Sequence, residues 1–143
     1  MLLLAAVTFS AKPESLPVVL LVEDHRDTRQ MYAEFLAAFF TVVQAADGEE
    51  ALRLVKERPP DLIITDLSLP GIDGFELITR IRSDPKTRRV PVISLSGYGG
   101  YTHQQQALQA GCDRVLEKPC LPDALADVAL KLLGKPSAGS DET

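Results

Sequence analysis

A chain of 143 residues is the size of one domain, large enough to bury roughly 70% of the surface its unfolded form exposes. With 45% hydrophobic and 24% charged residues it has ordinary globular composition, and a net charge of −5 argues against a direct nucleic-acid partner, which needs a basic face. Two cysteines, Cys112 and Cys120, are too few for a disulfide framework and point to a reducing, cytoplasmic compartment.

The first apolar stretch, Leu2 to Phe9, is far shorter than the roughly 20 residues of a membrane span. It also lacks the basic n-region of a signal peptide, since the first basic residue is Lys12. Residues 1–16 therefore read as an N-terminal extension, flexible or packed on the domain. Val18-Val19-Leu20-Leu21-Val22 is the first short β-branched run, and it stops at Glu23-Asp24. A helix is predicted from about Asp27 to Phe40, with Met31, Phe35, Ala38 and Phe39 at the spacing of one buried face. Val42 to Ala45 is a short strand. Asp47 then has the character of an N-cap, with Glu50 three residues later in the manner of a capping box. That second helix ends by Pro59-Pro60.

Leu62-Ile63-Ile64-Thr65-Asp66 is a strand that ends on a carboxylate and breaks at once into Pro70, Gly71 and Gly74. A third helix from about Phe75 to Arg82 is expected to bury Leu77, Ile78 and Ile81 and to stop near Ser83-Asp84-Pro85. The run Val90 to Leu95 ends at Ser96. Gly97, Gly99 and Gly100 lead into a fourth helix, His103 to Ala110, which offers only Ala107, Leu108 and Ala110 for packing and so ranks among the least stable elements. Arg114 to Glu117 is the last strand and stops at Lys118-Pro119. A fifth helix, Asp123 to Leu133, carries Leu125, Val128 and Leu132, with Pro122 at its start and Gly134 just past its end. Residues 134–143 read as a disordered tail.

Strand–helix alternation of this kind gives an α/β fold with a parallel sheet and helices on both faces. All strands of such a sheet end on one side, where ligands bind. Glu23, Asp24, Asp66, Ser96 and Lys118 all sit at strand ends, so three carboxylates, a hydroxyl and an ammonium should converge. Such a carboxylate cluster is costly without a cation, and hard oxygen ligands suit Mg²⁺. Each residue alone would be unremarkable: Asp66 as a turn residue, Lys118 as a solvated charge, Glu23-Asp24 as a cap for the first helix. His25 and His103 have no ligand-like spacing and read as solvent-exposed. Cys120 lies next to the predicted site, and nothing in its pattern marks a redox role.

Three segments, Val19 to Asp24, Leu62 to Gly74 and Glu117 to Pro119, together with the hydroxyl at Ser96, closely resemble the receiver domain of two-component response regulators (CheY-like). The resemblance spans about Val18 to Leu133. It implies a flavodoxin-like, doubly wound, five-stranded parallel sheet of order 2-1-3-4-5 with five helices in a single domain, residues 17–133. It also implies that Asp66 is the phosphoacceptor and that Asp24 and Asp66 hold Mg²⁺ directly. Glu23 would act through water and the backbone carbonyl of Ser68 would be a further ligand. Lys118 would contact the phosphoryl oxygens, Pro119 would follow a cis peptide bond, and Ser96 would engage the phosphoryl group after transfer. The implied donor is a histidine kinase or a histidine phosphotransfer protein. The implied output surface is the fourth helix, fifth strand and fifth helix, binding a downstream protein, with no membrane partner.

The chain departs from that family where a switching aromatic usually stands three residues before the lysine: here it is Val115. Coupling is therefore expected through the glycine-flanked segment 97–101, with Ser96, Val115 and Tyr98 as switch positions. Small Ser68 leaves room for an attacking water, whereas bulky Tyr98 would shield the phosphate. Function reads as a phosphoacceptor that catalyses only its own phosphorylation and dephosphorylation, standing alone without an output domain. The alternatives are a receiver excised from a hybrid histidine kinase or longer regulator, a receiver that has lost phosphorylation, and a haloacid dehalogenase-type phosphatase. The last needs a second acid where Ser68 stands. No glycine-rich phosphate loop follows the first strand, which disfavours nucleotide binding.

Overall fold

A computed structural model describes residues 16–97 and 100–136. The predicted extension up to residue 15 and most of the predicted tail lie outside the described residues, as do Tyr98 and Gly99 of the predicted switch segment. Five strands alternate with five helices: β1 (Val18–Val22), α1 (Arg26–Leu36), β2 (Thr41–Ala45), α2 (Gly48–Glu57), β3 (Leu62–Asp66), α3 (Gly74–Ser83), β4 (Val92–Ser96), α4 (Tyr101–Ala110), β5 (Arg114–Glu117) and α5 (Pro122–Leu132). All pairings are parallel, in the order β2-β1-β3-β4-β5. The chain thus reverses its winding beside β1 and β3, and their carboxyl ends border the crevice where ligands bind in such sheets.

The two-residue period of the strands divides the core into two layers. Val19, Leu21, Leu62, Ile64, Ile93 and Leu95 face one side, where they meet Tyr32, Ala33 and Leu36 of α1 and Leu125, Ala126 and Ala129 of α5. Leu20, Val22, Ile63 and Val92 face the other and meet Ala51 and Val55 of α2, Leu77, Ile78 and Ile81 of α3, and Ala107 of α4. β3 is buried along its whole length, which explains its lack of polar alternation. Each fully buried Leu or Ile contributes roughly 1.5–3 kcal/mol of transfer free energy, so Leu62, Ile63 and Ile64 anchor the central strand firmly.

Several predicted helix starts hold in atomic detail. Asp47 Oδ1 accepts from the Glu50 amide at 2.8 Å, and Glu50 Oε1 accepts in return from Ala46, one residue outside the cap. Asp73, not singled out in the sequence, caps α3 through the Glu76 amide at 2.9 Å. Pro122 stands in the first turn of α5. β4 begins at Val92, two residues later than predicted, because Pro91 has no amide hydrogen for the ladder.

The buried face of α1 differs from the prediction. Met31 is 43% and Phe35 37% exposed, Ala38 lies in the turn after the helix, and Tyr32, Ala33 and Leu36 are buried instead. Two apolar stripes share this helix, so spacing cannot choose between them. Tertiary contacts do: the Tyr32 hydroxyl donates to the carbonyl of Cys120 at 2.6 Å and turns its stripe toward α5. The helix also begins on His25, whose Nδ1 accepts from the Thr28 amide, so neither Glu23 nor Asp24 is the cap. The weak packing of α4 is more pronounced than expected, since Ala107 alone is buried and Leu108 is 44% exposed.

Candidate functional site

The carboxyl ends of β1, β3, β4 and β5 carry Glu23-Asp24, Asp66, Ser96 and Lys118, and the parallel register sets them side by side. Thr65 pairs with Val22, Asp66 with Leu95, and Ser96 with Glu117. Burial is steep around the group: Glu23 is 2% and Asp66 5% exposed, while Asp24 is exposed at the rim.

Lys118 links the acids. Its Nζ donates to Asp66 Oδ2 at 2.8 Å and to Glu23 Oε1 at 3.2 Å. Burial pulls the ammonium's pKa down, but the hydrogen bond and charge of Asp66, joined by Glu23, outweigh this and leave it above the usual lysine value. The peptide bond to Pro119 is cis, as the sequence led one to expect. Burial also raises the Glu23 carboxyl above the ordinary range. The His25 amide works against that rise, the Asp66 charge reinforces it, and Lys118 opposes it. The second Glu23 oxygen accepts from the His25 amide at 3.1 Å, so both of its carboxylate oxygens are engaged. Asp66 Oδ1 accepts from the Ser68 amide at 3.1 Å, which fixes the carboxylate against the start of the following loop.

Neighbouring residues support this frame. The Arg29 guanidinium donates to the carbonyl of Glu23 at 2.8 Å and reaches Gln44 on β2, holding the end of β1. Gly74 lies so close to the end of β3 that an added Cβ would fall 2.5 Å from the carbonyl oxygen of Asp66. Its position in the Pro70-Gly71 break after Asp66 was the visible signal, but the close approach itself is tertiary. Val115 is half-buried against the α4 side of the sheet. His103, read from sequence as solvent-exposed, is half-buried and lines a cleft of about 450 Å³ with Ser68, Asp73, Phe75 and Ser96.

Glu23, Asp24 and Asp66 each offer a carboxylate oxygen, and these oxygens lie within 4.8 Å of one another. An all-oxygen, anionic donor set with one exposed member fits a hard divalent cation that retains water, as Mg²⁺ does. Three such carboxylates with a single ammonium leave excess negative charge in a largely buried site, which such an ion would neutralise.

A doubly wound sheet with clustered acids and a lysine at its carboxyl edge defines a class of ligand-binding α/β proteins. Residues 19–130 match the response regulator receiver domain, and the chain belongs to that family. It is 35% identical to Response regulator Rre1 of Synechocystis over 133 residues, an alignment covering 92% of this chain and 56% of the relative. The chain thus spans about half the length of that regulator. Among solved structures it resembles chemotaxis response regulator CheY4 of Vibrio cholerae, at 32% identity and a TM-score of 0.74, covering 83% of this chain and 97% of the other. It also resembles the receiver domain of sensor histidine kinase PA1611 from Pseudomonas aeruginosa, at 30% identity and a TM-score of 0.78, covering 84% and 99%. That structure carries a magnesium ion coordinated in its active-site cleft. Receiver domains are signalling phosphoacceptors rather than classical enzymes. Among the described residues no helix is long and apolar enough to cross a membrane.

Proposed function

We propose that this receiver takes a phosphoryl group from a phosphohistidine, on a histidine kinase or a phosphotransfer protein, onto Asp66. The observation that carries this reading is the Lys118 ammonium held 2.8 Å from a buried aspartate at the tip of β3, beside two further acids. As an anion, Asp66 needs no general base. One of its oxygens attacks phosphorus, the phosphorus–nitrogen bond breaks, and that electron pair returns to the donor imidazole.

Asp24 and Asp66 would hold Mg²⁺ directly, with the carbonyl of Ser68 as a further ligand and Glu23 acting through water. The engagement of both Glu23 oxygens by protein donors supports that indirect role. The bound ion supplies positive charge against the phosphoryl oxygens. Lys118 does the same from β5, exchanging its contact with Asp66 for one with the transferred group. Ser96, at the neighbouring strand tip, then donates its hydroxyl to the phosphoryl group and draws segment 97–101 with it.

The output surface is the face formed by α4, β5 and α5. Support comes from the sparse anchoring of α4 and from Tyr101 and Leu121, which are 74% and 68% exposed. The exposed Met31 and Phe35 on α1 supply a second apolar patch, suited to the phosphodonor protein. We place the domain in the cytoplasm, where such donors act. The partial coverage of Rre1 favours a second arrangement of the same chemistry, in which this receiver is one part of a longer regulator or hybrid kinase.

Incubation with acetyl phosphate and Mg²⁺ tests the reading by intact mass. A gain of about 80 Da, one phosphoryl group, is expected on the native chain and absent from Asp66→Asn. No gain on the native chain, or an equal gain on the variant, would sink it.

A further inference from the structure

Asp24 lies in the short turn between the end of β1 and the start of α1. The residue before it is held at several points. The Glu23 amide donates to the carbonyl of Ala45 at the tip of β2 at 3.1 Å, and the Glu23 carboxylate takes Lys118 and the His25 amide. The carbonyl of Glu23 lies past Val22, the last β1 residue paired with β2 and β3. Arg29, one turn into α1, supplies its donor through Nη1 at 2.8 Å. The same half-buried guanidinium donates from Nε to Gln44 Oε1 at 3.3 Å.

A carbonyl oxygen and the Cα of the next residue belong to one planar peptide unit. Fixing the Glu23 oxygen therefore fixes the point from which the Asp24 side chain departs. Of the three acids whose oxygens cluster, Glu23 and Asp66 are buried and Asp24 is exposed. Packing cannot aim an exposed side chain, so its backbone anchor decides where the carboxylate points. The charge of Arg29 acts the other way, since it repels a cation. That effect is screened by solvent, whereas the hydrogen bond is not.

We propose that Arg29 is a positioning residue for the divalent cation. By holding the Glu23–Asp24 peptide it aims the Asp24 carboxylate, and so it sets the affinity for Mg²⁺. The inference rests on Asp24 and Asp66 being the acids that hold the ion. Groups that orient metal ligands without touching the metal contribute about 10–100-fold in affinity. Lys118 has a different part, because it contacts Asp66 and Glu23 themselves. Substituting Arg29 leaves those contacts in place, so binding of the ion and transfer of phosphate should respond separately.

Calorimetric titration with Mg²⁺ alone tests this on the native chain, Asp24→Asn, Arg29→Ala and Arg29→Lys, with melting in chelator as the check on folding. Arg29→Ala should bind about tenfold more weakly than the native chain. Arg29→Lys, which keeps the charge and a donor but loses the fork that spans Glu23 and Gln44, should fall between. Uptake from acetyl phosphate should be slow in Arg29→Ala at low Mg²⁺ and return to within about twofold of native at saturation, the pattern of lost binding rather than lost chemistry. Native affinity in both Arg29 variants would overturn the proposal, even with lower melting, because that marks a structural role. Tighter binding by Arg29→Ala would overturn it too, since the ion would then feel only the charge. If Arg29→Ala does not fold, Arg29→Lys decides against the native chain, and equal affinity rejects the idea. Failure of the underlying site is seen separately: native binding that Asp24→Asn leaves intact, or no native binding, refutes the site and the proposal with it.

Discussion

Lys118 Nζ sits 2.8 Å from Asp66 Oδ2 and 3.2 Å from Glu23 Oε1, joining residues 52 and 95 positions away in the chain. Removing the ammonium leaves two buried carboxylates facing each other. Lys118→Ala should therefore cost about 3 kcal/mol, the scale for breaking a buried ion pair by deleting one partner. Urea denaturation in the presence of a chelator measures it, and added Mg²⁺ should recover part of the loss.

Binding of a divalent cation by the same cluster should add to the stability of the fold. An ion that binds only the folded state at a hundred times its dissociation constant stabilises by about 2.7 kcal/mol. The native melting temperature should rise with Mg²⁺, and Asp24→Asn should blunt the rise while melting normally in chelator, because Asp24 is exposed and buries no charge.

Glu23 predicts a pH dependence. Its folded pKa is raised, first by burial, so the native state holds this proton more tightly than the unfolded chain does. The contribution to stability is then present at acid pH and declines as pH rises from the unfolded value near 4.5 through the folded one. In chelator, Glu23→Gln should exceed the native melting temperature near neutrality, and the advantage should shrink below pH 4.5. An advantage that grows toward acid pH would reverse the sign and refute the account.

Two glycines separate crowding from backbone strain. At Gly74 a Cβ would lie 2.5 Å from the Asp66 carbonyl and 2.6 Å from the Leu67 Cα, backbone atoms that cannot swing aside. Gly74→Ala should destabilise by about 1–3 kcal/mol, the cost of overpacking, and impair uptake of phosphate by displacing Asp66. Gly71 has φ +74° and open space around it, so Gly71→Ala should cost only about 1–2 kcal/mol from left-handed strain. Uptake should be spared. Paired denaturation and phosphorylation assays would show the contrast.

α4 should exchange its amide hydrogens faster than α1, α2, α3 or α5. It buries Ala107 alone and starts without a side-chain cap, so opening it exposes little apolar surface. Native-state exchange read by mass spectrometry checks this. Slower exchange in residues 101–110 after phosphorylation is the further expectation if Ser96 draws in the segment before them.

The order of elements, the parallel sheet and the identity of the acidic tips were legible in the chain because they depend on local signals. Apolar runs of strand length ending in Asp66 or in Glu23-Asp24 reveal themselves without knowledge of neighbours, as does the capping pair Asp47 and Glu50. What needed the third dimension were choices between equivalent local patterns. Met31-Phe35 and Tyr32-Leu36 are both plausible helix stripes, and it is packing against the sheet and α5, with the hydrogen bond from Tyr32 to Cys120, 88 residues away, that places the second inside. His103 has no meaningful spacing in sequence, yet the adjacency of β3 and β4 brings α4 to the cleft beside Ser68. Periodicity encodes which residues are buried; which cavity a side chain borders depends on how distant strands are ordered, and that order arises only on packing.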